Sequence, residues 1–151
     1  MIQNGNYMNI LVTGCNKGLG LGFVKHYLNH KGHNIFATQR DVNTPSELTE
    51  LKKNHPQLSI HSLDIQNRYQ HQQLLEELKS QKLDIVIHNI GTFGPRPQSL
   101  DTVCQETTLN TIDINAVAPL ELTHKLLPLI KKSEQPKIVF ISSLMGSIQD
   151  N

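Results

Sequence analysis

Tryptophan is absent from this 151-residue chain, cysteine occurs twice, and opposite charges nearly cancel to leave a net +1. That balance, without a basic block, argues against nucleic acid or an anionic membrane surface as a partner. Two isolated cysteines, Cys15 and Cys104, make no disulfide framework and fit a reducing compartment. Long apolar runs are missing too, so nothing approaches the length that spans a bilayer. Residues 1–7 are polar and lack the apolar stretch of a signal peptide. They are read as a flexible N-terminal extension, with Met8 as an alternative start, and the expected location is cytoplasmic. Repeats and low-complexity tracts do not occur. The eight histidines are scattered. His26 and His30 fall one helical turn apart but have no third ligand, which reads as a solvated helix face and not a metal site. A chain of this length makes one domain with room for a core.

What is present is organised around Thr13-Gly14-Cys15-Asn16-Lys17-Gly18-Leu19-Gly20. An apolar run, Met8 to Val12, precedes it, and a helical pattern through Leu19, Phe23, Val24, Tyr27 and Leu28 follows, ending near Lys31-Gly32. A strand, a glycine-rich turn and a helix in that order make an entry for phosphate, because backbone N–H groups at the helix start face the turn. Residues 34–38 read as a second strand and therefore as a right-handed parallel crossover. Pro45-Ser46-Glu47-Leu48 opens a second helix. Residues 58–63 form a third strand, ending at Asp64-Ile65. A helix from Tyr69 to Lys79 follows, with Leu74, Leu75 and Leu78 on one side. The apolar run Leu83–His88 predicts a strand buried on both faces. It leads into Asn89-Ile90-Gly91 and an irregular loop, Gly94-Pro95-Arg96-Pro97. A long helix is expected over Leu109–Lys132, carrying Asp113-Ile114-Asn115-Ala116, with Pro119 kinking it or freeing a carbonyl. Lys137–Ile141 is the fifth strand and runs into Ser142-Ser143-Leu144-Met145-Gly146.

Taken in this order, the glycine loop, the Asn-x-Gly, the Asn-bearing helix and the Ser-Ser-x-x-Gly resemble the classical short-chain dehydrogenase/reductase family, and within it the small carbonyl-reductase-like members. The resemblance covers essentially the whole chain. It implies one α/β domain over residues 1–151, a Rossmann-type doubly wound parallel sheet of strand order 3-2-1-4-5, C-terminally incomplete. It implies cofactor contacts from Gly14, Asn16, Lys17, Gly18, Leu19 and Gly20. Asp64 would meet the adenine amino group, with Ile65 packing on the ring, although Asp64 reads equally well as the cap of the next helix. Asn89 would brace the sheet, and Gly91 would leave room for the cofactor ribose.

Gln39 stands where an NAD-preferring family member carries an acid for the ribose hydroxyls, and Arg40 follows it. A guanidinium can hold a 2′-phosphate through two parallel hydrogen bonds, and Lys17 adds a second positive charge on that side. Together they favour NADP(H), with NAD(H) as the alternative; Asp41 is a competing partner for Arg40. The resemblance places the catalytic serine at Ser143, donating to a substrate carbonyl, and a catalytic asparagine at Asn115, serving the site through its backbone. The implied activity is NADP(H)-dependent oxidoreduction of a carbonyl or alcohol, with a non-catalytic NADP(H)-binding module or inactive remnant as the alternative. Family dimers commonly use the long helix, so a homo-oligomer is an expectation.

The family's proton-transferring Tyr-x3-Lys follows its serine by about a dozen residues, whereas this sequence reaches Asn151. Tyr27-Leu28-Asn29-His30-Lys31 matches the spacing literally, but the first helix runs away from the carboxyl end of the sheet, where ligands bind. It reads as core packing. The 151-residue polypeptide is therefore expected to show no family-like turnover of aldehydes or ketones, since general acid–base groups contribute typically about 10²–10⁴-fold. NADPH oxidation followed by absorbance checks this. Robust turnover that disappears in Ser143→Ala would reveal a proton donor elsewhere in these residues.

Overall fold

The computed structural model describes residues 7–30, 32–97, 99–143, 146 and 149. Residues 1–6 of the expected extension, and Lys31 of the literal Tyr-x3-Lys, lie outside the described residues. The strands are β1 (Asn9–Val12), β2 (Asn34–Gln39), β3 (Leu58–Ser62), β4 (Ile85–His88) and β5 (Lys137–Phe140). They form one sheet in the order β3-β2-β1-β4-β5, and every neighbouring pair is parallel. The register pairs Ile10 with both Ile35 and Ile85, so the three central strands stack apolar residues side by side. The helices are α1 (Gly18–Leu28), α2 (Glu47–Asn54), α3 (Arg68–Leu78), α4 (Gln105–Ile112) and α5 (Ala118–Ile130).

Because side chains alternate along a strand, the central strands feed two cores. On one face, Leu11, Phe36 and Val86 pack with Leu74 and Leu78 of α3 and Leu122, Leu126 and Leu129 of α5. On the other, Ile10, Val12, Ile35, Ile85 and Ile87 pack with Leu21 and Val24 of α1 and Leu48 of α2. Tyr27 lies against this second core, as its spacing on α1 implies. β5 differs: Ile138, Val139 and Phe140 are 40%, 37% and 50% exposed, and among the described residues its only strand neighbour is β4.

Local chemistry sets the helix starts. Ser46 caps α2 reciprocally with Thr49, its hydroxyl accepting the Thr49 N–H while Thr49 Oγ1 accepts the Ser46 N–H. Asn67 caps α3 by accepting from the N–H of Tyr69, so the cap role open to Asp64 goes to Asn67. The single helix expected over 109–132 is divided in two. α4 begins earlier, at Gln105, and a π-helical turn over Asp113–Val117 separates it from α5. Pro119 has no N–H to donate to Asn115, and the Ala118 N–H instead reaches the carbonyl of Asp113. Arg68 of α3 spans this turn, bonding Asp113 on one side and Glu121, at 2.6 Å, on the other.

His88, at the end of β4, is buried and stacks on Phe140 with ring centroids 4.7 Å apart. Thr123 Oγ1 donates its proton to the Pro119 carbonyl, so at 2.8 Å from His88 Nε2 it must accept. The imidazole therefore carries its proton on Nε2, and buried Nδ1 has no hydrogen-bond partner among the described residues. A second proton would find no acceptor, and burial pushes the His88 pKa from 6.5 to about 4. His71 is alike: its Nε2 donates to the Ile65 carbonyl, its Nδ1 is orphaned, and burial lowers its pKa. The unfolded chain thus binds protons more readily than the folded one in this range. Stability is expected to be full above pH 6.5 and to fall toward pH 4, by about 1.4 kcal/mol per pH unit for one such group. Urea midpoints at several pH values check this; His88→Leu should flatten the slope, and an unchanged slope would contradict the assignment.

Candidate cofactor-binding site

The site is built where β1 stops. The N–H of Thr13 still follows the sheet, bonding Ile87 O at 2.9 Å. Gly14 then takes a φ of +71°, open to glycine at little cost, and the chain turns. The N–H of Gly14 donates to Thr38 Oγ1 and that of Cys15 to Thr38 O, fastening the loop to β2. Cys15 is buried and its thiol is pushed up to about 12 by desolvation, so it takes no part in ionic chemistry. Lys17 is extended at the N-cap of α1, with no side-chain cap and no acid in the first turn. The first N–H groups of α1 are thus left for an external acceptor, and the helix dipole favours an anion there.

A cleft of about 1190 Å³ opens along the carboxyl ends of β1 to β4. Gly14, Asn16, Lys17, Gly18, Leu19, Arg40, Asp64, Ile65, Asn89 and Gly91 all line it. The structure thus brings together in one groove nearly every cofactor residue expected from the sequence. Gly20 is the exception. A Cβ there would lie 2.2 Å from Gly14 O and 2.7 Å from Asn89 Nδ2, so its bareness serves packing of α1 onto the loop. Asn89 Nδ2 donates to the carbonyls of Thr13 and Gly14, at 3.2 and 3.1 Å, and its N–H donates to Thr13 Oγ1. This is the brace expected of it.

Arg40 and Lys17 both line the groove. Among the described residues no carboxylate lies within ion-pair distance of either. Asp41 turns away from Arg40, its carboxylate accepting from Thr44 Oγ1 and the N–H of Asn43, which hold its pKa down. Asp64 accepts from the N–H of Gln66, leaving further lone pairs toward the groove.

Asn115 and Ser143 do not line the groove. Asn115 sits in the π-helical turn, and its side chain grips the backbone of Thr92 from both sides. Nδ2 donates to Thr92 O and Oδ1 accepts the Thr92 N–H, each at 2.8 Å. It stands behind the wall formed by Gly91, where a Cβ would come within 3.3 Å of Oδ1. Ser143 is exposed, just beyond β5, and its carbonyl accepts the Gly146 N–H. Sequence reasoning missed Thr38 and Thr92 as anchors. Thr92 directly follows the Asn-x-Gly, but nothing in its identity reports that its backbone is what Asn115 holds. Among the described residues no cluster could hold a metal ion, and no helix is long and apolar enough to cross a membrane.

A parallel sheet with its glycine turn feeding an uncapped helix, and a groove across the strand ends, defines a Rossmann-type nucleotide-binding unit. The profile described as short chain dehydrogenase matches residues 8–150, and the chain belongs to that family. It is 33% identical over 147 residues to an oxidoreductase of Schizosaccharomyces pombe, covering 91% of this chain and 54% of that protein. Among solved structures, it resembles NADPH-bound carbonyl reductase from chicken fatty liver with a TM-score of 0.84 at 33% identity, covering 94% of this chain and 59% of that one. Carbonyl reductase Sniffer of D. melanogaster gives 0.86 at 34%, covering 95% and 64%. The chain thus spans somewhat over half the length of these relatives.

The glycines yield a paired test of the packing. Gly20→Ala is expected to cost about 1–3 kcal/mol, because the added methyl meets backbone that cannot move aside. Gly22, on the same helix, has open space around its Cβ position, and Gly22→Ala should stabilise by about 0.5–1 kcal/mol. Urea unfolding of both variants checks the pair. Equal stability of the two would contradict the close approach.

Proposed function

We infer that this chain is the cofactor-binding portion of an NADP(H)-dependent oxidoreductase that interconverts a carbonyl and an alcohol. The observation that carries the reading is that Arg40 and Lys17 both line the groove, with neutral Gln39 where an acid would select NAD(H). The uncapped start of α1 and the bare Cα positions of Gly14 and Gly18 fit a pyrophosphate. Membership of the family supports a nicotinamide cofactor, and the NADPH-bound chicken reductase supports the phosphorylated form.

A nicotinamide cofactor supplies the hydride. This chain's residues bind and orient. The first N–H groups of α1 receive the pyrophosphate, and Asp64 and Ile65 receive the adenine. Gly91 leaves the ribose its space, and Asn115 keeps that wall in place by holding Thr92. Ser143 donates a hydrogen bond to the substrate oxygen. In family members the tyrosine and lysine that move the proton follow this serine, and the match covers 54% of the Schizosaccharomyces pombe oxidoreductase and 59% of the chicken reductase.

Each charge-assisted contact with a 2′-phosphate is worth about 1.5–3 kcal/mol before losses. NADPH is therefore expected to bind more tightly than NADH, and Arg40→Asp should abolish the difference. Titration calorimetry with both cofactors measures it. Equal affinities for the parent chain would contradict the reading.

A further inference from the structure

The geometry assigns a positioning role to Gln39: its buried carboxamide holds the Arg40–Ser46 segment in the shape that accepts a ribose 2′-phosphate. The inference rests on the reading of the groove as an NADP(H) site, and it concerns a side chain rather than a charge. Gln39 ends β2 and is 4% exposed. Its Nε2 donates to the Asp41 carbonyl at 2.9 Å, and its Oε1 accepts from Ser46 Oγ at 3.2 Å. One side chain therefore ties the start of the segment to its end. The orientation of the amide is determined, because only the nitrogen can face a carbonyl.

Both attachments matter downstream. The single Ser46 hydroxyl proton points to Gln39, which leaves the oxygen's lone pairs to cap α2 at the Thr49 N–H. The Asp41 carbonyl also accepts the Thr44 N–H, closing the turn over Asp41–Thr44. On the far side, Ser62 Oγ donates to the Arg40 carbonyl at 2.9 Å, and the Leu63 N–H to Gln39 O. Arg40 is thus held by its carbonyl to β3, and among the described residues no carboxylate lies within ion-pair distance of its guanidinium. The segment's remaining residues are largely exposed and contribute little apolar packing to hold it. Residue chemistry at position 39 is narrow. Asparagine is one methylene shorter. Aspartate or glutamate would set a carboxylate against the Asp41 carbonyl and repel a phosphate besides. Glutamine alone among these donates to one end, accepts from the other and stays neutral.

Gln39→Met keeps length and neutrality and removes both bonds; Gln39→Asn stays neutral but is one methylene too short to hold both partners. Calorimetry with NADPH, NADH, 2′,5′-ADP and 5′-AMP is combined with deuterium uptake over residues 40–46. In both variants we expect faster uptake, about tenfold weaker binding of NADPH and 2′,5′-ADP, and NADH and 5′-AMP within about twofold of the parent. Equal weakening of all four ligands would mean a merely structural role and would overturn the proposal, as would unchanged uptake. Uptake is read without nucleotide, so it judges the brace even if the parent proves indifferent to the 2′-phosphate, an outcome that would sink the NADP(H) reading instead. Should the Met variant fail to fold, the Asn variant carries the test.

Discussion

The carboxamide of Asn89 reaches from the end of β4 to the carbonyls of Thr13 and Gly14 at the end of β1, and the groove depends on that tie. Two parallel strands that end side by side leave carbonyls pointing into the same space, and buried polar groups without partners are costly. Asn89 satisfies them with one amide and sets the height of the glycine loop above the sheet. Gly20 must then be bare, because α1 crosses the loop where a methyl would strike Gly14 and the same amide. Thr13 completes the joint from the other strand by accepting the Asn89 N–H. The uncapped helix start, the turn at Gly14 and the open groove beyond follow from this joint.

Charge is arranged around the groove with similar economy. Asp41 is committed to its own turn through Asn43 and Thr44, which leaves Arg40 unneutralised. Arg68, by contrast, is engaged, fastening α3 to Asp113 at the start of the π-helical turn and to Glu121 in α5. That turn carries Asn115, whose side chain is spent on Thr92. Among the described residues, Arg68 has carboxylates within reach and Arg40 has none.

Periodicity and motif spacing made the strands and the glycine turn legible in the sequence, while the resemblance to a known family supplied the strand order and most of the groove residues. Continuous apolar runs such as Ile85–His88 can only be strands covered on both faces, and the glycine spacing announces a turn into a helix. Less legible was the break in the long helix. Pro119 signals an irregularity, but its form, with the Ala118 N–H reaching back to the Asp113 carbonyl, is a backbone geometry that no residue identity reports. The brace at Gln39 was invisible for the same reason: its partners matter through tertiary geometry, and glutamine carries no pattern of its own. Motif spacing likewise could not report that the bare Cα of Gly20 lets α1 pack on the Gly14 carbonyl and the Asn89 amide.

The central claim is that the joint of β1 and β4 presents a preformed dinucleotide groove, with the pyrophosphate at the start of α1 and the 2′-phosphate beside Arg40 and Lys17. The crystal structure of this chain with NADP⁺ tests it most directly. The account predicts pyrophosphate oxygens within hydrogen-bond distance of the first N–H groups of α1, the 2′-phosphate on the Arg40 guanidinium, and the Asn89 bonds unchanged. A nucleotide seated elsewhere, or a loop that must rebuild around Gly14 to admit it, would contradict the account.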